Sequence, residues 1–233
     1  MKLIFVLLSC SMLAASLQAQ TVVRMPPENQ VQLSASATIE VPQDWLTMTL
    51  TTSRDGLDAA TVQSQLKQAL DAALVQARAA AQPGQLEVRT GNFQLYPRHG
   101  RDGRINGWQG NVELVLEGRD FGAIGAAAGR MQTLTMGGVQ FGLSREQRAR
   151  VESEVQAQAI AGFKAKASDI ARGFGFTQYF LREVAISAND QMFAPRPRMM
   201  AMEAKSAVAD APVPIEAGKA TVSVTVSGSV QLK

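Results

Sequence analysis

The sequence predicts a fold of mixed class, in which strands with one wet face pack against helices, and three observations carry that reading. Residues 220–232 alternate without interruption: Val222, Val224, Val226, Val230 and Leu232 fall on one side, and Thr221, Ser223, Thr225, Ser227 and Ser229 on the other. Residues 58–81 change to the helical period, with Val62, Leu66, Leu70, Leu74 and Ala77 on one face and Gln63, Lys67, Asp71 and Arg78 elsewhere. Turn-forming clusters separate such segments, Pro83-Gly84 and the run from His99 to Gly103 above all.

The elements follow in order. Residues 31–41 and 45–53 alternate apolar and small polar residues around a break at Pro42, and read as a hairpin or as two bent strands. After the helix at 58–81, residues 86–98 and 105–117 form strands about the turn-rich cluster, as a hairpin should. Val112, Leu114 and Leu116 share one face, and Asn111, Glu113 and Glu117 the wet one. Asp120 caps a second helix over 121–134, in which Gly122, Gly125 and Gly129 fall on one side. A short strand at 137–144 leads to Ser144, an N-cap with Gln147 three positions on. This opens a long helix to residue 172 whose Val151, Val155, Ala159, Phe163, Ala167 and Ile170 face the core, with Gly173 closing it. A strand over 179–187 precedes a stretch of about 25 residues, 191–216, too long for an ordinary connection.

Composition narrows the chemistry. With 233 residues, 46% hydrophobic and 18% charged, the chain can bury a sizeable core. Its 23 basic and 20 acidic residues nearly cancel, so no field points to nucleic acid. One cysteine and one histidine exclude an internal disulfide and a cysteine-based zinc cluster, and leave little for triad chemistry.

The first residues read as an export signal. Lys2, the apolar run from Leu3 to Leu8 and the small residues that follow have its order, with cleavage between Ala19 and Gln20. The run is far short of the roughly 20 residues that cross a bilayer, and no later segment reaches that length. Leu7-Leu8-Ser9-Cys10 has the look of a lipoprotein box, but its cysteine comes too early to leave an apolar core before it. The expected organisation is a signal over 1–19, an extension over 20–30 and one domain over 31–233.

Each chemically suggestive feature has a plain competitor. His99 offers a base, but no nucleophile or second ligand accompanies it, so an exposed turn residue is the better reading. Arg98, Arg101 and Arg104, with Tyr96 and Trp108 nearby, make a basic loop that reads as a solvated hairpin tip. The spacing of Gly122, Gly125 and Gly129 lacks the lysine and hydroxyl residue of a phosphate loop, which leaves close helix packing. Gly173-Phe174-Gly175 follows a helix and precedes a strand, the reverse of a dinucleotide turn. Glu113 and Glu117 lie along a wet strand face, and no spacing singles out a pair of acids. Met192, Met199, Met200 and Met202 are the exception, because thioethers bind copper(I) and take up oxidant reversibly. Adaptable packing at a subunit contact is their ordinary alternative.

The ordered pieces resemble the SIMPL-domain family of bacterial secreted proteins, described as periplasmic immunogenic or oxidative-stress-defence proteins. The likeness runs over 30–233 through Val41-Pro42, the Gly91-Asn92-Phe93-Gln94-Leu95-Tyr96-Pro97 strand, Gly107-Trp108-Gln109-Gly110 and Arg119-Asp120. It continues through Gly138-Val139-Gln140-Phe141-Gly142-Leu143-Ser144, Lys164-Ala165-Lys166-Ala167 and Pro212-Val213-Pro214-Ile215-Glu216-Ala217-Gly218. Trp108 stands where members commonly have tyrosine.

The resemblance implies an exported α+β domain of mainly antiparallel strands covered by three helices, and ring-like or channel-like homo-oligomers. It supplies no catalytic residues, cofactor or metal ligands. The expectation is a non-enzymatic periplasmic scaffold or binding protein, in contact with an envelope protein or surface and associated with the outer membrane, without nucleic acid or transmembrane segment. Its alternatives are a monomeric binding protein with a methionine loop for oxidant or copper(I), and a periplasmic hydrolase.

Overall fold

The computed structural model describes residues 28–189 and 216–233. Lys2, Cys10, the Ala19–Gln20 cleavage position and the four methionines at 192, 199, 200 and 202 lie outside the described residues. The chain folds as β1 (Gln30–Pro42), β2 (Trp45–Gly56), α1 (Ala59–Ala80), β3 (Glu87–His99), β4 (Ile105–Gly118), α2 (Phe121–Gly129), β5 (Thr135–Gly142), α3 (Arg145–Gly173), β6 (Tyr179–Asn189) and β7 (Lys219–Leu232). All strand pairs are antiparallel, in a four-stranded sheet of order β3-β4-β2-β5 and a three-stranded sheet of order β1-β7-β6. This is the α+β architecture that the resemblance implied.

Each sheet buries one face under helices and has its own core. Leu46, Met48 and Leu50 of β2 meet Leu114 and Leu116 of β4 beneath Leu66 and Leu70 of α1 and Ile124 of α2. In the smaller sheet, Val222, Val224 and Val226 of β7 lie under Val155, Ala159, Phe163 and Ala167 of α3. These are the period-two and period-3.6 faces visible in the sequence, and burial of the large aliphatic side chains stabilises each by about 2 kcal/mol.

Several boundaries and one pairing differ from expectation. The segments flanking Pro42 do not form a hairpin: β1 pairs with β7 along Gln30↔Gln231 to Pro42↔Lys219, while β2 pairs with β4 and β5. The four-stranded unit, residues 45–142, is thus nested within a three-stranded unit made from both ends of the described chain. The second helix stops at Gly129 rather than continuing to residue 134, and buried Met131 and Leu134 carry the apolar pattern past its end in irregular backbone. The long helix is terminated by Gly175, not Gly173. Gly175 has φ 83°, its N–H donates to Arg172 O at 3.0 Å, and Phe176 N–H donates to Ala171 O at 2.9 Å, a Schellman closure that needs glycine's left-handed backbone. Ile170 is only partly buried, and Ala171 takes the expected core position.

Both N-caps read from the sequence, Asp120 and Ser144, are present, and α1 has a third, Asp58. Asp58 accepts from Thr61 N–H at 2.7 Å and from the Thr61 hydroxyl at 2.8 Å, and these bonds hold its carboxyl below the ordinary value of 3.8. A depressed folded value means that the cap contributes fully above the unfolded value and is lost as pH falls through the folded one. Thermal melts of wild type and Asp58→Ala should therefore differ at neutral pH and converge below 3.8; a constant difference across that range would contradict the assignment.

Candidate functional site

The nested topology forces the chain to cross between the two units twice, and both crossings meet at one place. At the first, Gln43 N–H donates to Gly218 O at 3.0 Å and Asp44 N–H to Gly142 O at 3.1 Å. At the second stands Ser144, the N-cap of α3, only 2% exposed. Asp44 takes both of its donors, Ser144 N–H to Oδ1 at 2.7 Å and the Ser144 hydroxyl to Oδ2 at 2.6 Å. The serine oxygen in turn accepts from Gln147 N–H at 3.2 Å and from Arg119 Nη2 at 3.0 Å. Arg119 also binds Glu146 at 2.6 Å and lies 3.8 Å from Asp44.

A cleft of about 710 Å³ opens beside this cluster, lined by Trp45, Glu87, Glu117, Arg119, Arg145 and Glu146 among others. Ser144, which also lines it, is the candidate reactive centre, because a serine touching a carboxylate invites comparison with hydrolases. The geometry argues otherwise. The Ser144 hydroxyl gives its proton to Asp44 and uses its oxygen to cap the helix, so it is held as a structural bridge. The lone imidazole belongs to the far end of β3, paired with Ile105.

The hairpin tip is built as its residues suggest. Gly100 N–H donates to Arg104 O at 2.8 Å, and Arg104 N–H to Asp102 Oδ1 at 3.3 Å. His99, Arg101 and Arg104 are exposed, whereas Arg98 sits 3.6 Å from Asp55. The His99 side chain has no hydrogen-bond or ionic partner among the described residues. Trp108 packs against the larger core. The wet-face acids are engaged separately: Glu113 accepts from Asn92 N–H at 3.2 Å, and Glu117 is bound by Arg89 at 3.0 Å. Among the described residues, no three histidine, cysteine or acidic side chains are placed to hold a metal ion, and no helix is long and apolar enough to cross a membrane.

The glycines of α2 separate in the structure. Gly125 is buried and Gly129 partly so, but Gly122 is exposed. A Cβ at Gly122 would meet only Asp120 Oδ1, at an ordinary 3.5 Å. The features that sequence reasoning missed are the Asp44–Ser144 bridge and the surface of β6. Phe180, Leu181, Val184 and Ile186 of that strand are between 46% and 52% exposed apart from Val184 at 44%.

Replacing Ser144 with alanine removes the α3 cap and takes a hydroxyl donor from Asp44, and should lower stability by about 2 kcal/mol in urea denaturation. A loss below about 0.5 kcal/mol would show that the bridge is dispensable.

No curated protein matches the chain. A family model does, over residues 31–230: SIMPL, described as a protein of unknown function (DUF541). The match runs from the second residue of β1 to Val230 near the end of β7, across both units of the nested fold, and on it the chain belongs to the SIMPL family.

Proposed function

We propose that this SIMPL-family chain is an exported, non-enzymatic protein of the periplasm that acts as an oligomeric scaffold or binding protein of the cell envelope, in the setting of oxidative-stress defence. The observation that carries the reading is the apolar surface left on β6, where Leu181, Val184 and Ile186 remain about half exposed beside α3. Large apolar side chains grouped on one strand favour contact with another protein surface. Ser144, Arg119 and Glu146, which line the cleft beside Asp44, are meanwhile bonded to one another and to that carboxylate, which supports binding or assembly over turnover.

Fractionation should recover the protein from the periplasm with Gln20 as its first residue, and light scattering after size exclusion should give a mass above one chain. A single-chain mass at high concentration together with turnover of a defined substrate would overturn the reading.

The second reading, an oxidant sink at Met192, Met199, Met200 and Met202, rests on their grouping in the sequence. Its control is set by burial: Met48 is 0% exposed and would react slowly in any case, whereas Met136 is 43% exposed and is the fair comparison. Under mild peroxide, mass spectrometry should show sulfoxide forming faster at the four grouped positions than at Met136. Equal rates would remove the sink.

A further inference from the structure

Among the described residues the two sheets have four edge strands, and three of them are blunted. The β1 edge carries Glu40 and ends in Pro42, and Lys166 Nζ donates to its Ser34 carbonyl at 3.0 Å. In β3 a register shift between Thr90 and Phe93 breaks the ladder, and Pro97 removes a donor. The β5 edge is eight residues long with Gly137, Gly138 and Gly142 among them. These are the usual devices by which an edge avoids pairing with another chain.

β6 has none of them over most of its length. Its single irregularity, between Leu181 and Glu183, lies where its backbone crowds Gly228, at which a Cβ would come within 2.2 Å of Glu183 O. Beyond it, residues 183–189 pair regularly with β7 from Ser229 to Ser223 and contain no proline, glycine or lysine, and one charge, Glu183. The pairing also fixes which way the side chains point. Leu181, Val184 and Ile186 lie opposite Val230, Gly228 and Val226, on the α3 side of the sheet. α3 packs chiefly on β1 and β7, so this apolar row continues the core surface past the helix that covers it.

We propose that residues 183–189 of β6 pair antiparallel with the same residues of a second copy, about a two-fold axis at Ile186, joining two three-stranded sheets into one of six strands. The inference rests on the oligomer reading above and names its contact. The segment is self-complementary in that register: Val184 falls opposite Ala188, Ala185 opposite Ser187, Ile186 opposite itself, and no like charges meet. A two-fold axis normal to the sheet keeps both α3 helices on one side, so the apolar rows of the two copies adjoin and shield each other. Such an isologous contact closes on itself as a dimer, and any larger ring needs a second, different surface.

The test compares the full protein with Ile186→Lys, which would set two lysine side chains directly opposite each other across the axis, their Cβ atoms about 5 Å apart, and replace an apolar contact with like charges. Light scattering should show the apparent mass falling about twofold or more, with an unchanged circular dichroism spectrum, while Leu57→Lys on another exposed apolar residue leaves the mass unchanged. In the chain from Gln20 onward, which has no cysteine of its own, Ile186→Cys should oxidise to a disulfide-linked dimer and Val75→Cys on α1 should not. The cross-link decides the matter even if the lysine variant fails to fold. An oligomer that keeps its mass in Ile186→Lys and forms no link through residue 186 overturns this contact and leaves the oligomer reading standing. A wild-type protein of single-chain mass overturns both.

Discussion

The structure depends on the bridge between Asp44 and Ser144. The four-stranded unit is inserted between β1 and α3, so the two connections that leave and re-enter the smaller sheet must run side by side. Asp44 binds both donors of Ser144, and Ser144 caps the 29-residue helix that covers the smaller sheet. One carboxylate therefore links the register of the crossing, the start of α3 and, through Arg119, the end of β4. Because Ser144 is buried, its hydroxyl and N–H must be paired, and loss of a partner carries the desolvation cost of the groups left behind.

The same topology explains why the molecule has so much unpaired sheet. Among the described residues two small sheets, one covered by α1 and α2 and the other by α3, present four edges where a single seven-stranded sheet would present two. The open face of the smaller sheet carries hydroxyl ladders: Ser36 and Thr225 meet at 2.9 Å, as do Thr38 and Ser223 at 3.1 Å. These ladders satisfy themselves and the surrounding water, and they make no demand for a partner. The β6 edge differs in kind, because unpaired backbone and half-exposed aliphatic side chains occur together there. The proposed assembly would follow from how the fold distributes its strands.

Local patterns were legible in the sequence, and long-range partners were not. Val62, Leu66 and Leu70 marked α1, Val151 through Ala167 marked α3, and Val222 through Leu232 marked the buried side of β7, because burial of one face imprints its period on the chain. The β3–β4 hairpin was legible because its turn lies between its strands. Alternation in β1 showed that one face is buried but carried no information on which strand lies beside it, and its partner is the last strand. Asp44 and Ser144 are 100 residues apart, and only the cap half of the serine's role has a local signature. The end of α2 was misplaced because Met131 and Leu134 are buried for tertiary reasons after the helix has stopped. For the candidate surface, the strand at 179–187 was visible, but its place at an edge of the sheet among the described residues depends on where β7 and α3 lie, which is a property of the whole fold.

Amide hydrogen exchange along β6, followed as the protein is diluted, tests the central claim most directly. If a second copy covers the edge, the outward-facing amides of residues 183–189 are protected at high concentration and lose that protection on dilution, while those of β7, flanked by β1 and β6, stay slow throughout. Fast exchange of the outward β6 amides at every concentration, with β7 protected as before, would contradict it.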